Sequence, residues 1–162
     1  NFYKYPYLFK EMAYVLISGR DFNESRKKIR ESKSSGREVV FASDDDELAR
    51  KVLEKEAINV LLINQEGRKD GIKQRNSGFN QVLAKTAKKK NVTLGINIEE
   101  IFKAEKEDKA EMLARVRQNV RLCNKNKLKM RFISKTDQEK DKHDLKCLGL
   151  VLGMPTWMTK NL

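Results

Sequence analysis

The amino-acid sequence predicts an α/β protein built on a parallel sheet. Short apolar runs rich in β-branched residues alternate with longer segments of helical periodicity, and Gly153 and Pro155 supply a stop after the last helical segment. The chain has 162 residues, which suits a single domain over 1–162. Five strands with their helices could form an open doubly wound sheet or part of a (β/α) barrel.

The first half of the chain contains three predicted strands and two predicted helices. Leu48, Val52 and Leu53 fall on one side of a helical projection, which predicts a helix around them. The β-branched and aromatic runs on either side of this helix are typical of buried strands. The predicted elements are strand Tyr14–Ser18, helix Phe22–Ser34, strand Val39–Phe41, helix Asp45–Glu56 and strand Val60–Ile63.

The second half continues the alternation after a polar loop. The longest predicted helix has an apolar stripe formed by Met112, Leu113, Val116, Val120 and Cys123. The predicted elements are loop Asn64–Arg75, a helix from Ser77 to about Lys90, strand Val92–Ile98, helix Glu107–Asn126, strand Met130–Ile133 and helix Asp141–Leu152.

Charge indicates a polyanionic partner. The chain has 35 Lys and Arg against 23 Asp and Glu, a formal charge of +12. Two blocks, residues 67–90 and 115–131, each carry a local charge of +7. Such blocks favour nucleic acid, although cations near helix ends also complement the helix dipole.

Several classes of protein are disfavoured. No apolar run approaches the ~20 residues of a membrane span. Cys123 and Cys147 are too few for a disulfide framework, so we expect a reduced, cytoplasmic protein. His143 is the only histidine and has no cysteine at ligand spacing, which argues against a His-rich metal centre. Asp44, Asp45 and Asp46 could bind a cation but are better explained as stabilising a helix N-terminus.

The loop after the third strand is the first candidate site. It leaves the carboxyl end of a strand, the edge at which parallel α/β folds bind ligands. Its cations are Arg68, Lys69, Lys73 and Arg75, and Asn76 or Ser77 could cap the next helix, whose free N–H groups attract anions. The loop therefore predicts phosphate contacts, with a solvated polar loop as the alternative.

The helix Glu107–Asn126 is the second candidate. Arg117, Arg121 and Lys125 are spaced four residues apart and share one face. This cationic ridge could follow a phosphate backbone or meet an acidic partner protein, and periodicity does not decide between them.

An aromatic row opens the chain. Tyr3, Tyr5, Tyr7 and Phe9 would share one face of an extended segment. Packing against the domain is the favoured interpretation, and stacking on exposed bases is the alternative.

Several motifs in order resemble those of one family. Residues 75–85, RNSGFNQVLAK, together with GRKD at 67–70, look like the "RKD-x-G-x-D-H-V-L-A-K" signature of the thirty-kilodalton ribonuclease P protein subunit, also called archaeal component 3. Residues 110–125 are similar to that family's Arg-rich helix, Phe132–Ser134 to its "V-I-S-S" strand, and 143–154 to its "R-D-L…L-G-M" ending. Asn97 falls where the family has the end of a strand. The resemblance covers about residues 58–154, and Asn80 and Gln81 stand where many members have Asp and His.

The resemblance implies a fold and a function. The fold would be a parallel-stranded TIM-like (β/α) barrel, or such a barrel incomplete at the N-terminus, related to polymerase-and-histidinol-phosphatase metallohydrolases but without their metal site. The function would be to support the catalytic RNA of ribonuclease P in removing 5′ leaders from precursor tRNA, with magnesium used by the RNA. The chain alone would be inactive and would bind no cofactor.

The implied partners are ribonuclease P RNA, precursor tRNA, a small ferredoxin-like protein subunit in a heterotetramer, and other ribonuclease P proteins. A stand-alone metal-dependent phosphoesterase of the same barrel, or an RNA-binding module of another ribonucleoprotein, remain the alternatives. The residues predicted to bind RNA or a partner are Arg68, Lys69, Lys73, Arg75, Asn76, Asn80, Arg115, Arg117, Arg121 and Lys125.

Overall fold

The computed structural model describes residues 14–136, 140–160 and 162, so the N-terminal aromatic row lies outside the described residues. Five parallel strands form one sheet in the order β1-β2-β3-β4-β5. The strands are β1 (Tyr14–Ser18), β2 (Glu38–Ser43), β3 (Val60–Ile63), β4 (Thr93–Asn97) and β5 (Met130–Ile133). The α/β prediction is therefore confirmed, and the order has none of the reversal that a doubly wound sheet requires.

Seven helices are described, of which two were not predicted. The helices are α1 (Phe22–Ser34), α2 (Asp46–Lys55), α3 (Gln81–Lys89), α4 (Ile98–Lys103), α5 (Lys106–Asn126), α6 (Lys142–Val151) and α7 (Thr156–Thr159). The missed helices α4 and α7 have six and four residues, too short to show a helical period. None of the described helices has the length and apolarity that crossing a bilayer requires.

The starts of two helices test the capping predictions. At α2, the Asp45 side chain accepts the N–H groups of Glu47 and Leu48, as expected for an acidic helix start. At α3, the predicted start was wrong, because Asn80 is the cap and its side chain accepts the Leu83 N–H at 2.9 Å. Gly78, with φ of +69°, turns the chain before this cap.

The main core lies between the helices and one face of the sheet. Alternate strand residues such as Phe41, Leu61 and Leu94 point into it and meet the buried stripe of α5. The opposite face carries a smaller cluster made only of strand residues: Tyr14, Leu16, Val40, Ala42, Val60, Leu62 and Ile133. The strands therefore bury both faces, as the near-continuous apolar run of β3 suggests.

The sheet curls around this smaller cluster. Tyr14 on β1 donates its hydroxyl to the carbonyl of Ser134 just after β5. Adjacent strands are about 4.8 Å apart, so a flat sheet would separate β1 from β5 by about 19 Å, too far for this contact. Gly95 allows the tight curl, because a Cβ there would lie 3.0–3.1 Å from side-chain atoms of Val60, Leu62 and Ile133. The described strands nevertheless form an open arc and do not close a barrel.

Candidate nucleic-acid interface

Arg68, predicted to grip phosphate, is fully engaged within the protein. Its Nη2 and Nη1 atoms lie 2.6 and 2.9 Å from the two carboxylate oxygens of Asp46, and its Nε donates to the Asn64 carbonyl at 2.6 Å. The side chain is only 9% exposed and lies against Gly78, where a Cβ would be 2.5 Å from Nη2. Arg68 thus ties the loop after β3 to the start of α2, and its guanidinium does not face a solvent-side phosphate.

Arg115, predicted to bind RNA or a partner, is buried. It is 2% exposed and donates to Asp70 at 2.7 Å, to Glu111 at 2.9 Å and to the Gln65 carbonyl at 3.4 Å. The hydrogen bond from Arg115 is the largest influence that holds the pKa of Asp70 below its ordinary value. Arg115 therefore does not belong to the exposed ridge, because one helical turn separates it from Met112 on the buried stripe.

The loop keeps three exposed cations: Lys69, Lys73 and Arg75. Asn76, a predicted contact, donates its backbone N–H to the Asp70 carboxylate at 2.7 Å. Asn80 uses its side chain as the α3 cap. The structure therefore brings the exposed cations Lys73 and Arg75 beside the start of α3, while the predicted contacts Arg68 and Asn80 have structural roles.

The ridge on α5 is confirmed as an exposed face. Arg117, Arg121 and Lys125 are all exposed, whereas the stripe residues Met112 and Val116 are buried. Arg117 also donates to the carbonyl of Val151 at 2.9 Å, at the end of α6. A cation suits that position because the last carbonyls of a helix carry partial negative charge.

A second basic surface lies at the amino edge of the sheet. The turns before β4 and β5 are neighbours there, and Lys88 Nζ donates to the Lys127 carbonyl at 2.9 Å. Both turns contain a residue with positive φ, Asn91 and Lys127, which reverses the chain tightly. We call the exposed lysines at the end of α3 and in these turns the amino-edge cluster: Lys88, Lys89, Lys90, Lys127 and Lys129.

The carboxyl edge has the opposite character. A cleft of about 770 Å³, the carboxyl-edge cleft, lies between the loop after β3, the helix α4 and the start of α5. The described residues that line it include five basic side chains and seven acidic ones, the latter being Glu66, Asp70, Glu99, Glu100, Glu105, Asp108 and Glu111. An acidic cleft does not favour phosphate, so the expected anion site at this edge has no support inside the cleft.

The possible metal ligands include the carboxylates before α2, His143 and the two cysteines. Within residues 14–136, 140–160 and 162, no group of three or more His, Cys, Asp and Glu side chains is arranged to hold a metal ion. His143 is exposed in the first turn of α6, and burial raises the pKa of the Cys123 thiol to about 12.

Comparison with solved structures gives a likeness of fold. A chain of a structure described as "cryo-EM structure of archaeal Ribonuclease P with mature tRNA" superposes with a TM-score of 0.75 at 20% sequence identity. The match covers 90% of the present chain and 62% of that chain. The two chains share a fold. No family model matches the sequence.

The amino-edge cluster is the basic surface that sequence analysis did not recognise. Residues 67–90 form one basic block in the sequence, but its two ends lie at opposite edges of the sheet. The sequence contained the information to find this surface. In a parallel sheet, the helices that precede neighbouring strands end at the same edge, so the lysines at those helix ends are expected to lie together. The alternative interpretation of those lysines, as complements of helix dipoles, obscured it.

Proposed function

We propose that this chain is a protein subunit of ribonuclease P, which supports a catalytic RNA in removing 5′ leaders from precursor tRNA. The observation that carries the proposal is the shared fold with a chain of archaeal ribonuclease P, over 90% of the present chain. The ordered motifs over about residues 58–154 agree with it independently, because a common fold alone does not imply a common function. A strongly basic chain also suits an RNA partner.

The proposed role of the protein is to neutralise phosphate charge and to hold its partners in place. The candidate RNA contacts are the exposed loop cations Lys69, Lys73 and Arg75 and the amino-edge cluster. Phosphodiester hydrolysis would be performed by magnesium bound to the RNA, and this chain would contribute no catalytic residue and bind no cofactor.

The ridge on α5 is the proposed protein interface. Arg117 and Arg121 are exposed on a long helix whose apolar stripe is buried in the core, so they present a rigid cationic face. Arginine is enriched at the centres of protein interfaces, which favours a protein partner for this face. The small ferredoxin-like subunit, in a heterotetramer, is the proposed occupant, beside other ribonuclease P proteins in the cytoplasm.

A TIM-like (β/α) barrel is the proposed architecture of the fold as a whole. Three features support it: consecutive strands are neighbours, the helices pack on one face, and the opposite face is concave. The described strands would then form an arc of the barrel wall.

The test is recovery of RNA bound to the tagged full chain in its native cells, followed by sequencing, with untagged cells as the control. We expect enrichment of ribonuclease P RNA and of tRNA precursors that retain their 5′ leaders. Enrichment of a different structural RNA would instead identify the chain as a module of another ribonucleoprotein. Recovery of no RNA above the control would contradict both functions.

A further inference from the structure

The floor of the carboxyl-edge cleft contains hydrogen-bond acceptors that no donor in the described part of the protein satisfies. Gln65 and Asn97 are 5% and 4% exposed and line the cleft, yet Gln65 Oε1 and Asn97 Oδ1 have no partner there. Glu99 Oε2, also buried, has none either. Buried oxygens without donors cost roughly 1–3 kcal/mol each, so each of these three residues of the cleft lining favours a donor.

The orientation of the Asn97 amide follows from a chain of hydrogen bonds. The Asp44 carboxylate can only accept, so Asn64 must turn its Nδ2 toward it, at 2.8 Å. Asn64 Oδ1 then accepts from Asn97 Nδ2 at 3.3 Å. Asn97 therefore uses its amine for Asn64, and its buried Oδ1 is left without a donor.

The Gln65 amide is oriented in a similar way. Its Nε2 donates to two backbone carbonyls, those of Ile63 at 3.4 Å and Ser77 at 3.1 Å. Carbonyls accept only, so a flipped amide would oppose oxygen to oxygen. Gln65 Oε1 is thus left as an acceptor by the fold itself.

Glu99 adds a negative charge to these amide oxygens. Its Oε1 accepts the hydroxyls of Ser134 and Thr136, the second at 3.1 Å. Burial alone would raise the pKa of Glu99, but the hydrogen bond from Ser134, together with weaker ones, lowers it below its ordinary value. The carboxylate is therefore ionised at neutral pH, with Oε2 free to accept.

We propose that the carboxyl-edge cleft binds an organic cation, an ammonium or guanidinium group that donates to Asn97 Oδ1, Gln65 Oε1 and Glu99 Oε2. Such groups are donors only and carry the charge that the acidic wall of the cleft attracts. A volume of about 770 Å³ is within the range of small-ligand pockets. A divalent metal is less suited, since the described residues hold no cluster of three ligating carboxylates, thiolates or imidazoles.

Two sources can supply this group, a free polyamine or a Lys or Arg side chain on a flexible segment of another protein. The test therefore uses two probes, spermidine and a short acetylated peptide with two arginines spaced by glycine. Each is titrated into the ¹⁵N-labelled full chain, and shifts are followed at the side-chain amides of Gln65 and Asn97 and at the backbone N–H of Glu100.

We expect saturable shifts at these groups at millimolar or lower probe concentration. The variant Glu99→Gln, which removes the charge and one acceptor, should weaken binding about tenfold or more. Glu107→Gln makes the same change in the first turn of α5 outside the cleft and should leave binding unaltered. Tighter binding of spermidine would identify a polyamine site, and tighter binding of the peptide a site for a protein segment.

Three results would overturn the proposal. One is the absence of saturable shifts with both probes. Another is equal affinity of the Glu99→Gln variant, whose fold is verified by unchanged shifts in β1 and β2. The third is reproduction of the same shifts by magnesium alone, which would make the cleft a metal site.

Discussion

Arg115 Nε lies 2.7 Å from Asp70 Oδ1, and this ion pair joins the loop after β3 to the buried face of α5. The arginine is 2% exposed in its side chain and the aspartate 25%. The same guanidinium also reaches the Gln65 carbonyl, so Arg115 holds the loop to α5 at two points, while Arg68 holds it to α2. The exposed cations Lys73 and Arg75 are presented from that fixed base.

The first prediction concerns the stability that this pair provides. Arg115 is buried and its hydrogen bonds go to two carboxylates and a backbone carbonyl, so Arg115→Ala should lower the free energy of unfolding by about 1.5–3 kcal/mol. Urea denaturation measures this loss of unfolding free energy. The control is Arg50→Ala, which removes an exposed ion pair with Glu54 and should cost less than about 1 kcal/mol. Equal losses in the two variants would show that Arg115 does not hold the loop.

The second prediction concerns the stability of the protein at low pH. The pKa of Asp70 is lowered in the folded state, chiefly by the hydrogen bond from Arg115. The stability it contributes is therefore fully present above the unfolded pKa, about 3.9, and is lost as pH falls through the lower folded pKa. Unfolding free energy measured from pH 6 downward should decline less steeply below about pH 4 in Asp70→Asn than in the parent chain.

The pKa of Glu100 is shifted in the opposite direction to that of Asp70, so the two carboxyl groups can be compared within one protein. Burial raises its pKa, although its carboxylate accepts the Gln65 N–H at 2.8 Å. The folded state therefore favours the protonated form, and ionisation at neutral pH costs stability. Glu100→Gln should not share the acid dependence of Asp70→Asn, and identical pH profiles for the two variants would contradict these assignments.

The third prediction assigns RNA binding to the amino-edge cluster. Lys89→Gln with Lys129→Gln should weaken RNA binding and flatten the plot of log affinity against log salt by about 0.7–0.9 for each phosphate that the protein no longer neutralises. Filter binding across a salt series measures the slope. Lys27→Gln with Lys106→Gln removes the same charge from α1 and from the start of α5, and should change the slope less. Equal slopes for the two double variants would show only a general charge effect.

The loop cations are tested separately because they lie at the other end of the sheet. Replacing Lys69, Lys73 and Arg75 by Ala should also flatten the salt dependence of RNA binding. Arg68 is kept, since its ion pair with Asp46 holds the loop. An unchanged slope would show that this loop does not touch the RNA backbone.

The fourth prediction concerns the ridge on α5. Arg117→Glu with Arg121→Glu should weaken assembly with the small ferredoxin-like subunit, measured by analytical ultracentrifugation without RNA. Charge reversal places like charges against an acidic partner, which costs affinity. Arg20→Glu with Lys27→Glu makes the same change in net charge away from the ridge and serves as the control. Undiminished assembly of the ridge variant would leave RNA as the partner of this face.

The fifth prediction is that the purified chain hydrolyses neither RNA nor a model phosphoester, even with added manganese. Its described residues bring together no set of metal ligands, and the Asp70 and Glu111 carboxylates of the cleft are paired with Arg115. Hydrolysis that a single substitution in this chain abolishes would support the stand-alone phosphoesterase instead.

Local patterns in the sequence were sufficient for most of the secondary structure. Tyr14–Ser18, Val60–Ile63 and Met130–Ile133 are strands with the predicted bounds, and α5 begins one residue before its prediction. Such elements are specified by runs and periodicities within a few residues, which any window of the sequence contains. The exposed ridge of α5 follows from the same periodicity, because its apolar stripe determines which face is buried.

Only the tertiary structure decided which cations are exposed and can contact a partner. Arg68 and Arg115 look like their exposed neighbours in sequence, but their partners Asp46 and Asp70 are 22 and 45 residues away. The start of α3 was misplaced for a related reason, since Ser77 and Asn80 are both good caps and the turn at Gly78 selects the second.

The sequence by itself determined an alternating α/β chain with an excess of positive charge and a cationic helix face. Only the fold separated the charges, because it places the lysines at the end of α3 and in the turns before β4 and β5 at the amino edge of the sheet. Carboxylates surround a cleft at the carboxyl edge. The physical reason is that parallel strands collect loops distant in sequence at common edges, where burial and ion pairing are settled between residues that no local pattern relates.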